Sequence, residues 1–594
     1  MATVEGEPAG TPGGEGWIRA ADLDRLRTEG RVVFPGTDRP LVLFYSEGRV
    51  HALDNRCPHM GFPLSRGTVA DGMVTCHWHH AAFDLASGCT FDLFAGDVPA
   101  YETAVAGNDV FVRPRGGRDR AALWRGALRD GLAQNVGLVI VKAVTALGLL
   151  GVPPRDIAAE AGGWLAANTP TFSSGMVILT AMTHVAQMLP SRLASLALSH
   201  GVVAGAAGAA GQPAFRRRSP LDRDDLDAET GKRWLRRFAA ARQRDGAERT
   251  LLTLLRCGTA QAGVLDAVFS AITDRVYADS GHAVDFAWKA VELAELLGWE
   301  HAGTVLPCAL PGSVIGARGA EEGSSWRHPT DLLALLAHAA REIPAAVRQG
   351  RGGAGGSVAE LADAVLGEDP AVIVASLLDA LRAGLGPDDL AQAVAHAACL
   401  RVARFGPSNE FGDWDTALHS LSYAQAMHHV ACRADSPEVL RGIFVGALSV
   451  YQDRFLNVPP ARLPGPGQID GLPADSEALC ARLLACTNAQ GSADEAGRLV
   501  AAHCAHGLPP QPLLAALAEV VLREDAAFHT FQMLEAGIRL WQQWDGAREG
   551  HLALVALARY AAAHAPTQRE FAQTVAIADR LHRGQALHED LTAG

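Results

Sequence analysis

Two short segments hold the residue types that bind soft metal centres. Cys57-Pro58-His59-Met60-Gly61 is followed by Cys76-His77-Trp78-His79, with sixteen residues between His59 and Cys76. A Cys-x-His and a Cys-x-x-His at this separation suit two metal-binding loops joined by a hairpin. Their thiolates can hold one iron and their neutral imidazoles a second, which raises the potential above that of an all-cysteine cluster. Such a [2Fe–2S] cluster moves one electron at a time. Zinc is the rival occupant, but its usual sites space their cysteines differently. The flanking Leu64-Ser65-Arg66-Gly67 and Phe83-Asp84 favour iron. Cys89, a single thiol nearby, reads as a small buried hydrophobe.

A cluster moves electrons without transforming a substrate, so the remaining histidines matter. Residues beyond 115 hold 17 of the 22, several inside apolar helical stretches. In Asp279–Lys289, a helix puts His282, Asp285 and Lys289 on one face, at i, i+3 and i+7. The chain has three lysines (Lys142, Lys232, Lys289) among its 52 basic residues, so a lysine in the apolar stretch Phe286–Leu293 stands out. It can be a buried amine, a carbamylated lysine acting as a carboxylate ligand, or a snorkelling chain near Glu292. Trp414–His429, Glu524–Glu535 and Thr180–His184 also set histidines among apolar and aromatic neighbours. A single histidine of this kind is most often a satisfied core residue. Four such helices downstream of an electron donor suggest a second, non-haem iron site. The expected ligands are His282, His419 and His529, with Lys289 a fourth and His184 and His428 in reserve.

The elements that must position these residues fall into two regimes. From Trp17 to Arg113 short β-rich runs (Arg31–Phe34, Leu41–Tyr45, Val50–Asp54, Gly72–Thr75, Val110–Val112) alternate with Gly, Asp and Pro. Pro114–Gly117 closes that unit. From Ala121 onward apolar residues recur at i, i+3, i+4 and i+7. Asp331 after Pro329 opens a helix over Leu332–Ala340, and Ser436-Pro437 opens one over Val439–Tyr451. The fold class expected is α+β and multidomain: a small all-β domain followed by a large all-α one. The expected divisions are a flexible N-terminus at 1–16, the β domain at 17–115, and a helical domain at 116–594. Breaks divide the last into blocks at about 116–204, 221–349, 357–458 and 474–594. The apolar run Val136–Val152 contains Lys142 and is short for a membrane span, so it reads as a buried helix. One internal echo stands out, Ala181-Met182-Thr183-His184-Val185-Ala186 against Ala426-Met427-His428-His429-Val430-Ala431.

Residues 17–113 resemble a Rieske ferredoxin domain, whose pattern is C-x-H-x-G in one loop and C-x-x-H-G, then F-D, in the other. The resemblance implies that Cys57 and Cys76 ligate one iron of a [2Fe–2S] cluster and His59 and His79 the other. Respiratory-type members carry a disulfide between the loops. Phe62 and Trp78 occupy those places here. Those members also use Ser and Tyr hydroxyls on the cluster sulfurs, where this chain has Ala81 and Phe83. Fewer such bonds place the potential near the low end of the Rieske range, about −150 mV. The glycine after the second histidine is His80, a rival ligand to His79. The helical part loosely resembles the questin-oxidase-like family, helical oxygenases acting on polyketide anthraquinones. That resemblance rests on Lys289 with its nearby His282, and it implies an iron held by histidines and a modified lysine.

Several classes are excluded. Net charge is −13 and no basic stripe appears, so nucleic acid is not an expected partner. No signal peptide or membrane span is evident, and scattered cysteines argue against a disulfide scaffold, so a cytoplasmic location is expected. Gly352–Gly356 lacks the following Lys-Ser/Thr of a P-loop, so the electrons must come from an external reductase or ferredoxin. The Asp/Asn-x2-His-x4-His motif of ring-hydroxylating subunits, paired Glu-x-x-His repeats and a G-x-S-x-G elbow are all missing. The expectation is a Rieske-type oxidoreductase. Its cluster feeds a non-haem iron that uses O₂ on an organic, aromatic or polyketide substrate, and a homo-oligomer is compatible with this. The alternative is an electron carrier or redox sensor with a metal-free helical scaffold.

Overall fold

The computed structural model describes residues 16–36, 40–114, 119–213, 215–353, 355–583 and 585. The expected flexible N-terminus lies outside the described residues except for Gly16, and most of the Pro114–Gly117 boundary also lies outside them. The chain divides into two compact units, residues 1–152 with 573–594, and residues 153–572.

In the first unit, alternating apolar residues and tight turns build two antiparallel sheets. The strands are β1 (Ile18–Asp22), β2 (Arg31–Phe34), β3 (Leu41–Ser46), β4 (Arg49–Asp54), β5 (Thr68–Ala70), β6 (Met73–Thr75), β7 (Ala82–Asp84), β8 (Ala100–Ala106) and β9 (Asp109–Pro114). The larger sheet has the order β1-β9-β8-β4-β3-β2 and the smaller β5-β6-β7. Glu47-Gly48 and Asp71-Gly72 take positive φ at both central positions, the turn that matches strand twist in a two-residue hairpin. The second turn pairs Ala70 with Met73 and so aims β6 at Cys76. Phe44, Leu53, Leu64, Val74 and Phe83 are fully buried around Cys57 and Cys76. Burying each such large side chain contributes about 1.5–3 kcal/mol.

The β domain does not end the first unit. Besides the short helix α1 (Leu23–Glu29), α2 (Arg120–Gln134) and α3 (Gly137–Leu149) belong to it, so its first segment runs past residue 115 to Val152 and a late segment from Gln573 joins it. The reason is contact. Gly96 faces the Trp124 ring of α2 and the Cβ of Pro58. The buried Lys142 of α3 donates to the first cluster loop. His582 in turn bonds the Lys142 carbonyl at 3.0 Å and packs edge-on against Trp124.

The second unit is all-helical. Ser436 caps the helix Pro437–Gln452, and Asp331 caps Leu332–Gly350, which continues past the expected Ala340 and through Pro344. Helices Ser174–Ala186, His282–Leu297, Phe411–Ala431 and Phe528–Gln543 pack together and carry the expected site residues. The turn into His282 is backbone-strained. Tyr277, Asp279 and Ser280 all have positive φ, and Gly281 follows at +97°. A Cβ on Gly281 would lie 3.1 Å from the Tyr423 Cβ and 3.4 Å from the His419 carbonyl. Left-handed non-glycine residues cost about 1–2 kcal/mol each, and such strain gathers at functional sites. Among the described residues no helix is long and apolar enough to cross a membrane.

Candidate functional site

The two cluster loops are built alike. In the first, the Cys57 amide donates to Phe62 and Gly61 donates back to Cys57. In the second, Cys76 donates to Ala81 and His80 donates back to Cys76. The fourth residue after each cysteine has positive φ, +78° at Gly61 and +61° at His80. The His80 replacement therefore keeps the left-handed turn and bears its strain. The ring beside His59 is that of His79, with centroids 4.6 Å apart and edge to face. Phe62 and Trp78, at 6.1 Å between centroids, meet where a disulfide would otherwise tie the loops.

The donor set fits a [2Fe–2S] group. Cys57 and Cys76 are buried and close enough to hydrogen-bond, which pushes the Cys57 thiol up and holds the Cys76 thiol down. Burial, with the nearby Lys142 charge, pulls His59 down to about 4, so its imidazole is neutral as a ligand must be. The His59 Nδ1 is buried and has no hydrogen-bond partner among the described residues, an orphan that a metal would satisfy. His79 is exposed, so one edge of the site faces solvent.

In the helical unit, the imidazoles of His282, His419 and His529 meet. The Nε2 atoms of His419 and His529 are 2.9 Å apart, and those of His529 and His282 are 3.4 Å apart. Outer partners hold two of the rings. His282 Nδ1 lies 3.1 Å from Asp285, which also accepts from Gln532 at 2.9 Å. His529 Nδ1 lies 3.2 Å from Asp415, whose other oxygen accepts from the Tyr560 hydroxyl. Burial opposes charge on His282, yet Asp285 raises it overall. Burial and the neighbouring imidazoles hold His419 down to about 4. Despite partial burial, bonds from His529, His564 and Tyr560 hold Asp415 far below the usual carboxylate range. Phe286 and Phe528 flank the His282 ring at 5.3 and 5.6 Å.

Lys289, expected as a fourth ligand, stands apart from this triad. Seven residues along one helix carry it about 10 Å from His282. Its Nζ bonds Glu535 at 2.5 and 2.6 Å and Glu292 at 2.7 Å. His184 joins this second cluster, 2.6 Å from Glu535. Arg539 pairs with Glu292, and Trp288 donates to it at 2.7 Å. Ligand atoms of His184, Glu292 and Glu535 lie within 4.8 Å of one another, but the Lys289 ammonium already serves as their cation. The echoed histidines converge here, since His429 lies 3.2 Å from Arg539. His428, the other reserve, faces Cys432 at 3.7 Å and joins neither cluster. Asp415, Gln532 and Tyr560 had no assigned role in the sequence. Asp415 was detectable as the carboxylate one turn before His419.

Residues 16–101 match the family model described as Rieske [2Fe-2S] domain. The chain is 34% identical over 74 residues to Apoptosis-inducing factor 3 of Homo sapiens, and the match covers 12% of each chain. It is 33% identical over 86 residues to the 3-phenylpropionate/cinnamic acid dioxygenase ferredoxin subunit of Shigella boydii serotype 4, covering 14% of this chain and 81% of that one. The solved ferredoxin of carbazole 1,9a-dioxygenase from Nocardioides aromaticivorans IC177 is similar at 25% identity and a TM-score of 0.16, covering 17% of this chain and 100% of that one. The chain thus spans about an eighth of the human factor's length.

Proposed function

Because the chain belongs to the Rieske [2Fe-2S] domain family through residues 16–101, we propose that it is an oxygenase with two metal centres. Electrons from an external reductase or ferredoxin enter the cluster on Cys57, Cys76, His59 and His79. His282, His419 and His529 would hold a non-haem iron, which would supply O₂ activation for an organic substrate of aromatic or polyketide type. The protein is read as cytoplasmic.

One observation carries this reading. With Nδ1 of His282 turned to Asp285 and Nδ1 of His529 turned to Asp415, the two rings aim their Nε2 atoms at each other at 3.4 Å, and the His419 Nε2 lies 2.9 Å from that of His529. These three ligand atoms lie within 4.8 Å of one another, where one metal ion would be ligated by all three. Carboxylates behind ligating histidines are the usual outer partners of a metal, fixing tautomer and ring orientation. Three protein ligands leave coordination positions open. Asp285 with Gln532, and Asp415 with Tyr560, hold the rings in place, and Phe286 and Phe528 supply an apolar wall.

The test is iron and acid-labile sulfide per chain on anaerobically purified protein, with paramagnetic resonance after dithionite reduction. The reading expects three irons and two sulfides. His529→Ala should then lose one iron and keep the Rieske signal. Two irons and two sulfides, unchanged after ferrous iron is added back, would favour an electron carrier or redox sensor. The likeness to a ferredoxin subunit is what recommends that second reading.

A further inference from the structure

We propose that Lys142 sets the reduction potential of the cluster, as a buried positive charge fixed on the first ligand loop that favours the reduced state. This rests on the Rieske cluster alone and stands whether or not the histidine triad binds iron.

The placement is unusual. Helix α3 is apolar and buried from Val139 to Leu147 apart from Lys142 and Thr145. Lys142 itself is 4% exposed. Its Nζ donates to the Pro58 carbonyl at 2.9 Å and to the His59 carbonyl at 2.5 Å. All three lysines of this chain are buried. Lys232 pairs with Asp266 and Glu438, and Lys289 with Glu292 and Glu535. Lys142 has no carboxylate within ion-pair distance among the described residues; burial pulls its amine down to about 8, and negative charge on Cys57 works the other way. A buried ammonium is costly unless hydrogen-bonded and opposed by negative charge. The two carbonyls supply the bonds in both redox states, and the reduced cluster supplies the charge.

Charge balance gives the direction. Two ferric ions, two sulfides and two thiolates sum to zero. One electron from the reductase or ferredoxin reduces one ferric ion to ferrous and leaves the centre at −1. A fixed cation beside the loop therefore gains attraction on reduction, and the potential rises. This opposes the lowering expected from Ala81 and Phe83, which offer no hydroxyl to the sulfurs.

The experiment compares full-length holoprotein with Lys142→Met and Lys142→Gln. Met removes the charge and both bonds, whereas Gln removes the charge and keeps an amide donor for a loop carbonyl. Iron and sulfide content establish loading. The midpoint is read by redox titration of the reduced-cluster resonance. Both variants should load two irons and two sulfides in the β domain. Each should lower the one-electron reduction constant at least tenfold, about 59 mV. The difference should persist at high salt, because buried charge is poorly screened. A midpoint within about twofold of wild type in both variants overturns the proposal. So does a wild-type midpoint in Lys142→Gln alone, which would make the bonds and not the charge responsible. Failure of both variants to load the cluster also overturns it, and makes Lys142 a structural brace.

Discussion

Replacing Lys289 with Met removes the ammonium that two buried carboxylates share. Its side chain is 9% exposed, and those of Glu292 and Glu535 are 3% and 4% exposed. With Lys289 and Arg539 present the cluster balances two negative charges with two positive ones. Without Lys289 one carboxylate charge is left uncompensated in the interior. Breaking a buried pair from one side costs about 3–5 kcal/mol. With a urea slope of about 3 kcal/mol/M, the unfolding midpoint should fall by about 1 M or more. Adding Glu535→Gln should recover at least half of that loss, since an amide needs no counter-charge. The iron count should not change, because the triad lies elsewhere. Acid supplies a second reading. Burial works to raise Glu535, but Lys289 and Arg539 override it and hold the carboxyl down to about 2. A carboxylate with a lowered folded value contributes stability above its ordinary value near 4.5, and the contribution is lost as pH falls toward 2. Wild type and Lys289→Met should therefore converge in stability below pH 4.5. Loss of the third iron with an unchanged midpoint would refute this reasoning and restore Lys289 as a ligand.

Two further outcomes are expected. Asp415→Asn keeps the size of the group behind His529 but removes its charge. It should weaken iron binding at the triad about 10- to 100-fold, measured by competition with a chelator. His79→Ala should abolish the reduced Rieske signal. By contrast, His80→Gly should keep that signal and add up to about 1 kcal/mol in thermal unfolding by relieving a left-handed residue. Loss of the signal in His80→Gly would make His80 the ligand.

The β domain and its cluster loops were legible because their information is local. Cys57 and His59 are two residues apart, Cys76 and His79 are three apart, and Asp71-Gly72 declares the hairpin that joins them. The triad was legible only as a set of candidates. His419 and His529 are 110 residues apart, and helix periodicity does not say which helices touch. What flagged them was chemistry in the wrong surroundings, imidazoles among Phe, Leu and Ala. At Lys289 the same signal leads to two carboxylates. Its partner Glu535 lies 246 residues away, and a buried amine in sequence looks the same whether it answers a metal or two carboxylates.

The lysines show how composition can carry what periodicity cannot. A chain that meets most needs for positive charge with arginine keeps lysine where a compact ammonium on a flexible stem fits and a planar guanidinium does not. Each of the three lies in the interior, and two have carboxylates to meet them. As sequence, Lys142 only interrupts the apolar run of a buried helix. Its carbonyl partners are 83 and 84 residues upstream, so nothing local joins it to the cluster motif. That same long-range contact is why α2 and α3 fold with the β domain. The boundary of the unit and the charge beside the cluster are thus one fact of packing: the helix that carries the cation must be built into the electron-transfer unit.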